Sequence, residues 1–218
     1  MNRLYILLHL AIAIQFIHST ECFAQIAHYH SDIKADTIVF KIDSNSVAEY
    51  EAYTKAFFIV AEDIVGKNKS VSGEITWIKI NSSIQFNAQI VIDAAKFESD
   101  NETRDEDIRE ILEANRYPQI VFELSNIEDF DTRIINEEGK ILEEQSFIAV
   151  GMLRVHGISK EIRFPISISL QKNQIFVEGT AKIRFTDFNI EPPTFGWIVM
   201  RASDELTIKA RIFAVRVK

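Results

Sequence analysis

The sequence predicts an all-β domain carrying one short helix. Apolar and polar residues alternate with a period of two in eight separate runs, turn-forming residues separate the runs, and only one stretch repeats its apolar residues at helical spacing. A period of two is what a half-buried strand requires, because successive side chains point to opposite faces.

The first run is Ile38, Phe40 and Ile42, and Val47 to Thr54 could add a further strand. After a turn signal at Gly66-Lys67-Asn68 comes Val71, Gly73, Ile75 and Trp77, then Ile84, Phe86, Ala88, Ile90 and Ile92. The helix follows. Thr103 and Glu106 have the spacing of a capping box, and Asp105, Glu106 and Asp107 crowd the positive end of the helix dipole. Ile108, Ile111 and Leu112 give it one narrow apolar stripe. Asn115 and Tyr117-Pro118 end it, since a residue before proline is pushed out of the helical region.

Alternation then resumes at Ile120, Phe122 and Leu124, and a turn signal falls at Glu138-Gly139-Lys140. The next rows are Phe147 to Val155 and, past the turn His156-Gly157, Ile162 to Leu170. Beyond the turn at Lys172-Asn173 run Ile175 to Phe185 and finally Leu206 to Ile212. Eight strands so punctuated form a sandwich or a closed antiparallel barrel, and periodicity alone does not choose between them.

Residues 1–24 read as a signal peptide: Arg3, an apolar run from Leu4 to Ile17, and small residues ahead of a cut before Gln25. The run is short for a membrane span, and Thr20 and Glu21 speak against a lipoprotein site at Cys22. Residues 25–35 read as a flexible lead-in and 36–218 as one barrel domain. The single cysteine, Cys22, leaves with the leader, so the exported chain has no disulfide and depends on its core. A net charge of −8 argues against nucleic acid and against adsorption to anionic lipid. No later stretch is apolar enough to cross a bilayer.

Candidate chemistry is sparse. His28, His30 and Asp32 could gather a metal, though a polar lead-in accounts for them better. His156 sits in a turn, with neither a cysteine nucleophile nor a G-x-S-x-G elbow to serve, and reads as a residue that holds its loop. Arg104 could meet a phosphate or pair with a carboxylate such as Asp93; the structural role is the stronger reading. The small residues Ala88, Ala149, Gly151, Gly179, Ala181 and Ala210 interrupt bulky rows. They either leave volume inside the domain or relieve crowding between strands, and both readings stand.

Three ordered landmarks carry a family resemblance. The first is Asp93, Arg104-Asp105 and Tyr117-Pro118 followed by the strand Ile120 to Leu124; the second is GMLRVHGISKEIRFPISISL from Gly151 to Leu170; the third is TDFNIEPPTFGWIVMRASDELTIKARI. Together they resemble the YceI-like family of lipocalin-like, polyisoprenoid-binding proteins, over roughly residues 36–218. The resemblance implies a lipocalin-like antiparallel eight-stranded barrel with one short α-helix across an opening. It implies an exported, periplasmic or secreted protein that holds a polyisoprenoid, isoprenoid quinone or fatty-acid-like chain. The expected lining is Phe40, Trp77, Phe86, Phe122, Phe147, Phe164 and Phe185, with Arg104 near the ligand. No catalytic residue, metal or cofactor is expected, and exposed strand edges would allow a homodimer. The alternative is a filled barrel working as an envelope scaffold; an enzyme would need Asp93, Arg104 and His156 to converge. The segments at 47–69 and 191–200 depart from the usual pattern and are expected near one barrel mouth.

Overall fold

The computed structural model describes residues 35–56, 59–80, 83–128, 130, 145–171, 173–195 and 200–217. The strands are β1 (Ala35–Ile42), β2 (Val47–Ala56), β3 (Ile59–Asn68), β4 (Val71–Ile80), β5 (Ser83–Asp93), β6 (Gln119–Glu128), β7 (Gln145–Val155), β8 (Ile158–Gln171), β9 (Gln174–Arg184), β10 (Thr194–Phe195) and β11 (Met200–Arg216). One α-helix, α1 (Glu102–Ile111), lies between β5 and β6, and single 3-10 turns occupy Ala94–Lys96 and Thr186–Phe188. The leader and the His28, His30 and Asp32 group lie outside the described residues.

Each strand pairs antiparallel with the next around the path β1-β4-β5-β6-β7-β8-β9-β11, and β11 returns to β1 through Phe40↔Arg216 and Ile42↔Ala214. The sheet therefore closes on itself as an eight-stranded barrel, which leaves no free edge around the ring.

β2 and β3 extend the first two staves. β2 takes over from β1 along the same edge of β11, with Val47 opposite Arg211, and β3 pairs with β2 before β4 pairs with β1. Two long strands are thus broken partway, at 43–46 and 69–70, and each break is closed by a buried polar side chain. Ser46 Oγ donates to Phe213 O at 3.1 Å and accepts from Phe213 N at 3.0 Å. Asn68 Nδ2 donates to Asp93 O at 2.7 Å, and its Oδ1 accepts from Ser70 N at 2.8 Å. Both side chains are fully buried, so they supply the partners that the interrupted ladder would leave orphaned. Gly66-Lys67-Asn68 accordingly ends β3 instead of forming a turn, and the chain continues in the same direction into β4.

The helix also differs from its sequence reading at both ends. Its N-cap is Asn101, whose side chain accepts from Arg104 N at 3.1 Å, and Thr103 lies inside the first turn. It stops at Ile111, before Asn115, because Glu113 adopts a left-handed φ of 44°. The β5–β6 connection with α1, the turn at His156-Gly157 and the β9–β11 connection all fall at one end of the barrel. β10 pairs with Met200 and Arg201 of β11, and Arg201 also pairs with Lys55 of β2, so the two atypical segments meet at this end.

Candidate ligand cavity

The alternating rows turn one face of every stave inward, and that face is mostly apolar. Two lobes that share wall residues remain open inside. The deep lobe has a volume of about 130 Å³ and is walled by residues that include Ile75, Phe86, Ala88, Phe122, Leu124, Phe164 and Val177. The mouth lobe, about 100 Å³, lies beneath the helix and is walled by Tyr50, Phe97, Ile108, Ile111, Leu112, Phe185, Phe188 and Ile190. Neither lobe exposes polar surface. Each far exceeds the ~10–15 Å³ that one water needs, and an apolar cavity of this kind holds no ordered water.

The small residues act in two different ways. A Cβ on Gly151 would stand 2.6 Å from the Phe122 ring, and one on Gly179 would stand 2.9 Å from Phe164 Cε2. The two rings lie over the two glycines and meet edge to face at 5.4 Å. Ala88, Ala149, Ala181 and Ala210 wall the deep lobe with side chains of a single methyl. Volume and crowding relief therefore occur in the same barrel.

Of the residues expected to line the interior, Phe86, Phe122 and Phe164 wall the deep lobe and Phe185 walls the mouth lobe. Phe40, Trp77 and Phe147 do not reach either lobe's wall. They are buried in the cluster that fills the barrel below the deep lobe. Trp77 meets Phe86 at 5.9 Å, Phe86 meets Phe130 at 5.0 Å, and Phe130 meets Phe147 at 5.1 Å. This aromatic floor leaves the helix end as the approach to the cavity.

Arg104 does not line the cavity either. Its Nη1 lies 3.1 Å from Asp100 Oδ1, one turn away and well exposed. Asp93, its expected partner, instead caps the 3-10 turn by accepting from Ala95 N at 3.0 Å. Asp105 fixes the lead-in to the helix by accepting from Ser99 N at 2.8 Å and Ser99 Oγ at 2.7 Å.

The helix exit is fastened to the barrel through His156. Its Nε2 lies 3.1 Å from Glu113 Oε1, its Nδ1 lies 3.3 Å from Phe188 O, and its ring meets Tyr117 edge to face at 4.8 Å. His156 (φ 50°) and Gly157 (φ 75°) both adopt left-handed backbone, and a Cβ on Gly157 would stand 2.7 Å from the Tyr117 ring. The close approach of the His156 imidazole holds the Glu113 carboxyl below its ordinary pKa, with Arg116 acting in the same direction. In the mouth lobe, burial pushes the Tyr50 phenol up to about 12, and the nearby Asp105 carboxylate adds to the rise while Arg104 opposes it. Tyr50 is therefore a neutral hydroxyl at any physiological pH.

Asp93, Arg104 and His156 have three separate sets of partners and form no converging cluster. Among the described residues, no group of three His, Cys, Asp or Glu side chains is placed to hold a metal. No helix of the described residues is long and apolar enough to cross a membrane.

Sequence reading missed Ala48, Tyr50, Phe97, Phe130, Phe188 and Ile190. Ala48, Tyr50 and Ala52 alternate in β2 and were open to detection by period; the others lie in connections, where no period marks an inward side chain.

Solved structures share this architecture. A polyisoprenoid binding domain from Saccharophagus degradans, described as implicated in plant cell wall breakdown, aligns with a TM-score of 0.62 at 15% identity over 82% of this chain and 98% of that one. BcnA of Burkholderia cenocepacia aligns with a TM-score of 0.58 at 19% identity over 80% and 99% of the two chains. The YceI protein of Campylobacter jejuni aligns at 0.53 and 18% identity over 75% and 91%. No curated protein matches the chain. The YceI-like domain model matches residues 25–214, nearly the whole span that folds into the barrel, and the chain therefore belongs to the YceI-like domain family.

Proposed function

We propose that the protein is an exported binding protein that holds one elongated apolar lipid along the barrel axis. The observation that carries this reading is the cavity itself: two apolar lobes stacked from the aromatic floor to the helix, with no polar surface exposed in either. Such a site recognises length and apolarity, and each buried methylene is worth ~0.8 kcal/mol, so a long chain binds without a charged contact. A polyisoprenoid, an isoprenoid quinone or a fatty-acid-like chain fits that description. The polyisoprenoid binding named for the Saccharophagus degradans relative supports the first of these.

Phe86, Phe122 and Phe164 serve as walls for the inner part of the chain and Phe185 for the part beneath the helix. Phe40, Trp77 and Phe147 act below the ligand as packing, and Arg104, mostly buried, pairs with Asp100 outside the cavity walls. The role is sequestration or carriage, not catalysis, and the leader read at residues 1–24 assigns it to the periplasm or the exterior.

Titration with geranylgeraniol, followed by thermal unfolding, tests the proposal. A ligand that binds only the folded state stabilises it by ~2.7 kcal/mol at a hundred times its Kd, so the transition should climb steadily with ligand. A transition that does not move at any ligand concentration would sink the reading and favour a filled-barrel scaffold.

A further inference from the structure

The two lobes are not one smooth channel. They share four wall residues, Ala48, Ile92, Leu153 and Ile208, which belong to β2, β5, β7 and β11. Counted around the closed ring, these are the first, third, fifth and eighth staves, so the four side chains form a girdle, with Ala48 facing Leu153 across the axis. Ile92 packs against both the floor cluster and the cluster beneath the helix, which places the girdle at their boundary. Three members of the girdle are large and one is small. Ala48 pairs with Ala210 of the neighbouring stave, so the wall facing Leu153 is low across two small side chains.

We propose that Ala48 is a specificity-determining residue: it keeps open a waist between the two lobes and so sets the length of chain the barrel accepts. This rests on the lipid-binding reading above and goes beyond it. A short chain needs only one lobe. A long chain must thread the waist, and its gain over the short chain comes from the second lobe. Leu153 supplies the opposite jaw, so a smaller residue there should ease the passage of a methyl-branched chain further.

Isothermal titration of the wild type and Ala48→Leu with n-decanol and geranylgeraniol tests this. The wild type should bind geranylgeraniol much more tightly than decanol. Ala48→Leu should keep decanol within about threefold and bind geranylgeraniol at least about tenfold more weakly, since several methylenes lose their site. Unchanged binding of both chains, or equal weakening of both, would overturn the waist and leave the lipid-binding reading intact. Failure of the wild type to bind either chain would overturn both. Ala48 is 2% exposed, so a leucine there could prevent folding. Leu153→Ala then tests the waist from the other jaw. It should shift preference toward phytol over n-hexadecanol by about fivefold or more, and an unshifted ratio would overturn the proposal.

Discussion

The ring of Phe122 occupies the space that a side chain on Gly151 would need: a Cβ there would stand 2.6 Å from Phe122 Cε2 and Cζ and 2.4 Å from Glu123 O. Gly179 is covered in a similar way by Phe164, but its imagined Cβ meets only side-chain atoms, at 2.9 Å and beyond. The difference has a measurable consequence. Gly151→Ala should destabilise the barrel by ~1–3 kcal/mol, because a backbone carbonyl on the neighbouring strand cannot move aside. Gly179→Ala should cost less, since the rings of Phe164 and the Ile166 methyl can shift by tenths of an ångström. Denaturant unfolding of the two variants would show the order, and equal or inverted losses would contradict it.

Floor and wall residues should separate by what they affect. Phe40 is 1% exposed and lies in the floor cluster, so Phe40→Ala should cost ~3–5 kcal/mol of stability. Phe164 is half-buried and walls the deep lobe, so Phe164→Ala should cost less and change which chains bind. Chemical unfolding beside ligand titration distinguishes the two, and a Phe164 variant with wild-type chain preference would remove that residue from the lining.

Arg104 should prove dispensable for an apolar ligand. Its pair with Asp100 is exposed on one side, and such pairs contribute ~0–1 kcal/mol. Arg104→Ala should leave geranylgeraniol affinity within about twofold. A tenfold loss would restore the phosphate-reading role that the sequence allowed.

Glu113 should make the fastening of the helix sensitive to acid. Its carboxyl titrates below the ordinary 4.5 because the His156 imidazole lies against it, so its contribution is present above that value and is lost as pH falls through the lowered pKa. The wild type should therefore exceed Glu113→Gln in Tm at neutral pH, and the gap should close on acidification below the usual carboxylate range. A gap that stayed constant across this window would show that the His156 contact does not perturb Glu113.

Most of the barrel was legible because its strands alternate. Ile84 to Ile92 carry their apolar residues at nearly every second position, whereas Phe147 to Val155 places Ile148, Val150 and Met152 beside the small Ala149 and Gly151, so there the fold and not residue size shows which parity is inward. The resemblance supplied closure, which periodicity could not, since pairing between Phe40 and Arg216 joins residues from opposite ends of the chain. What escaped notice depends on contacts between segments far apart in sequence. Ser46 and Asn68 read as ordinary loop residues, yet both are fully buried where the long staves break. Phe97, Phe130 and Phe188 lie in connections without a period, and only the fold turns them toward the floor and the mouth. Phe40, Trp77 and Phe147 sit below the two lobes and not in their walls for a related reason: parity tells which face a residue is on, but not the height at which the barrel is already full.

The central claim is that this interior holds a lipid, and native mass spectrometry of the purified protein before and after organic-solvent extraction tests it most directly. The account predicts one apolar adduct per chain that the solvent removes and that added geranylgeraniol restores. A bare protein mass in every sample, with no uptake of added chains, would contradict it.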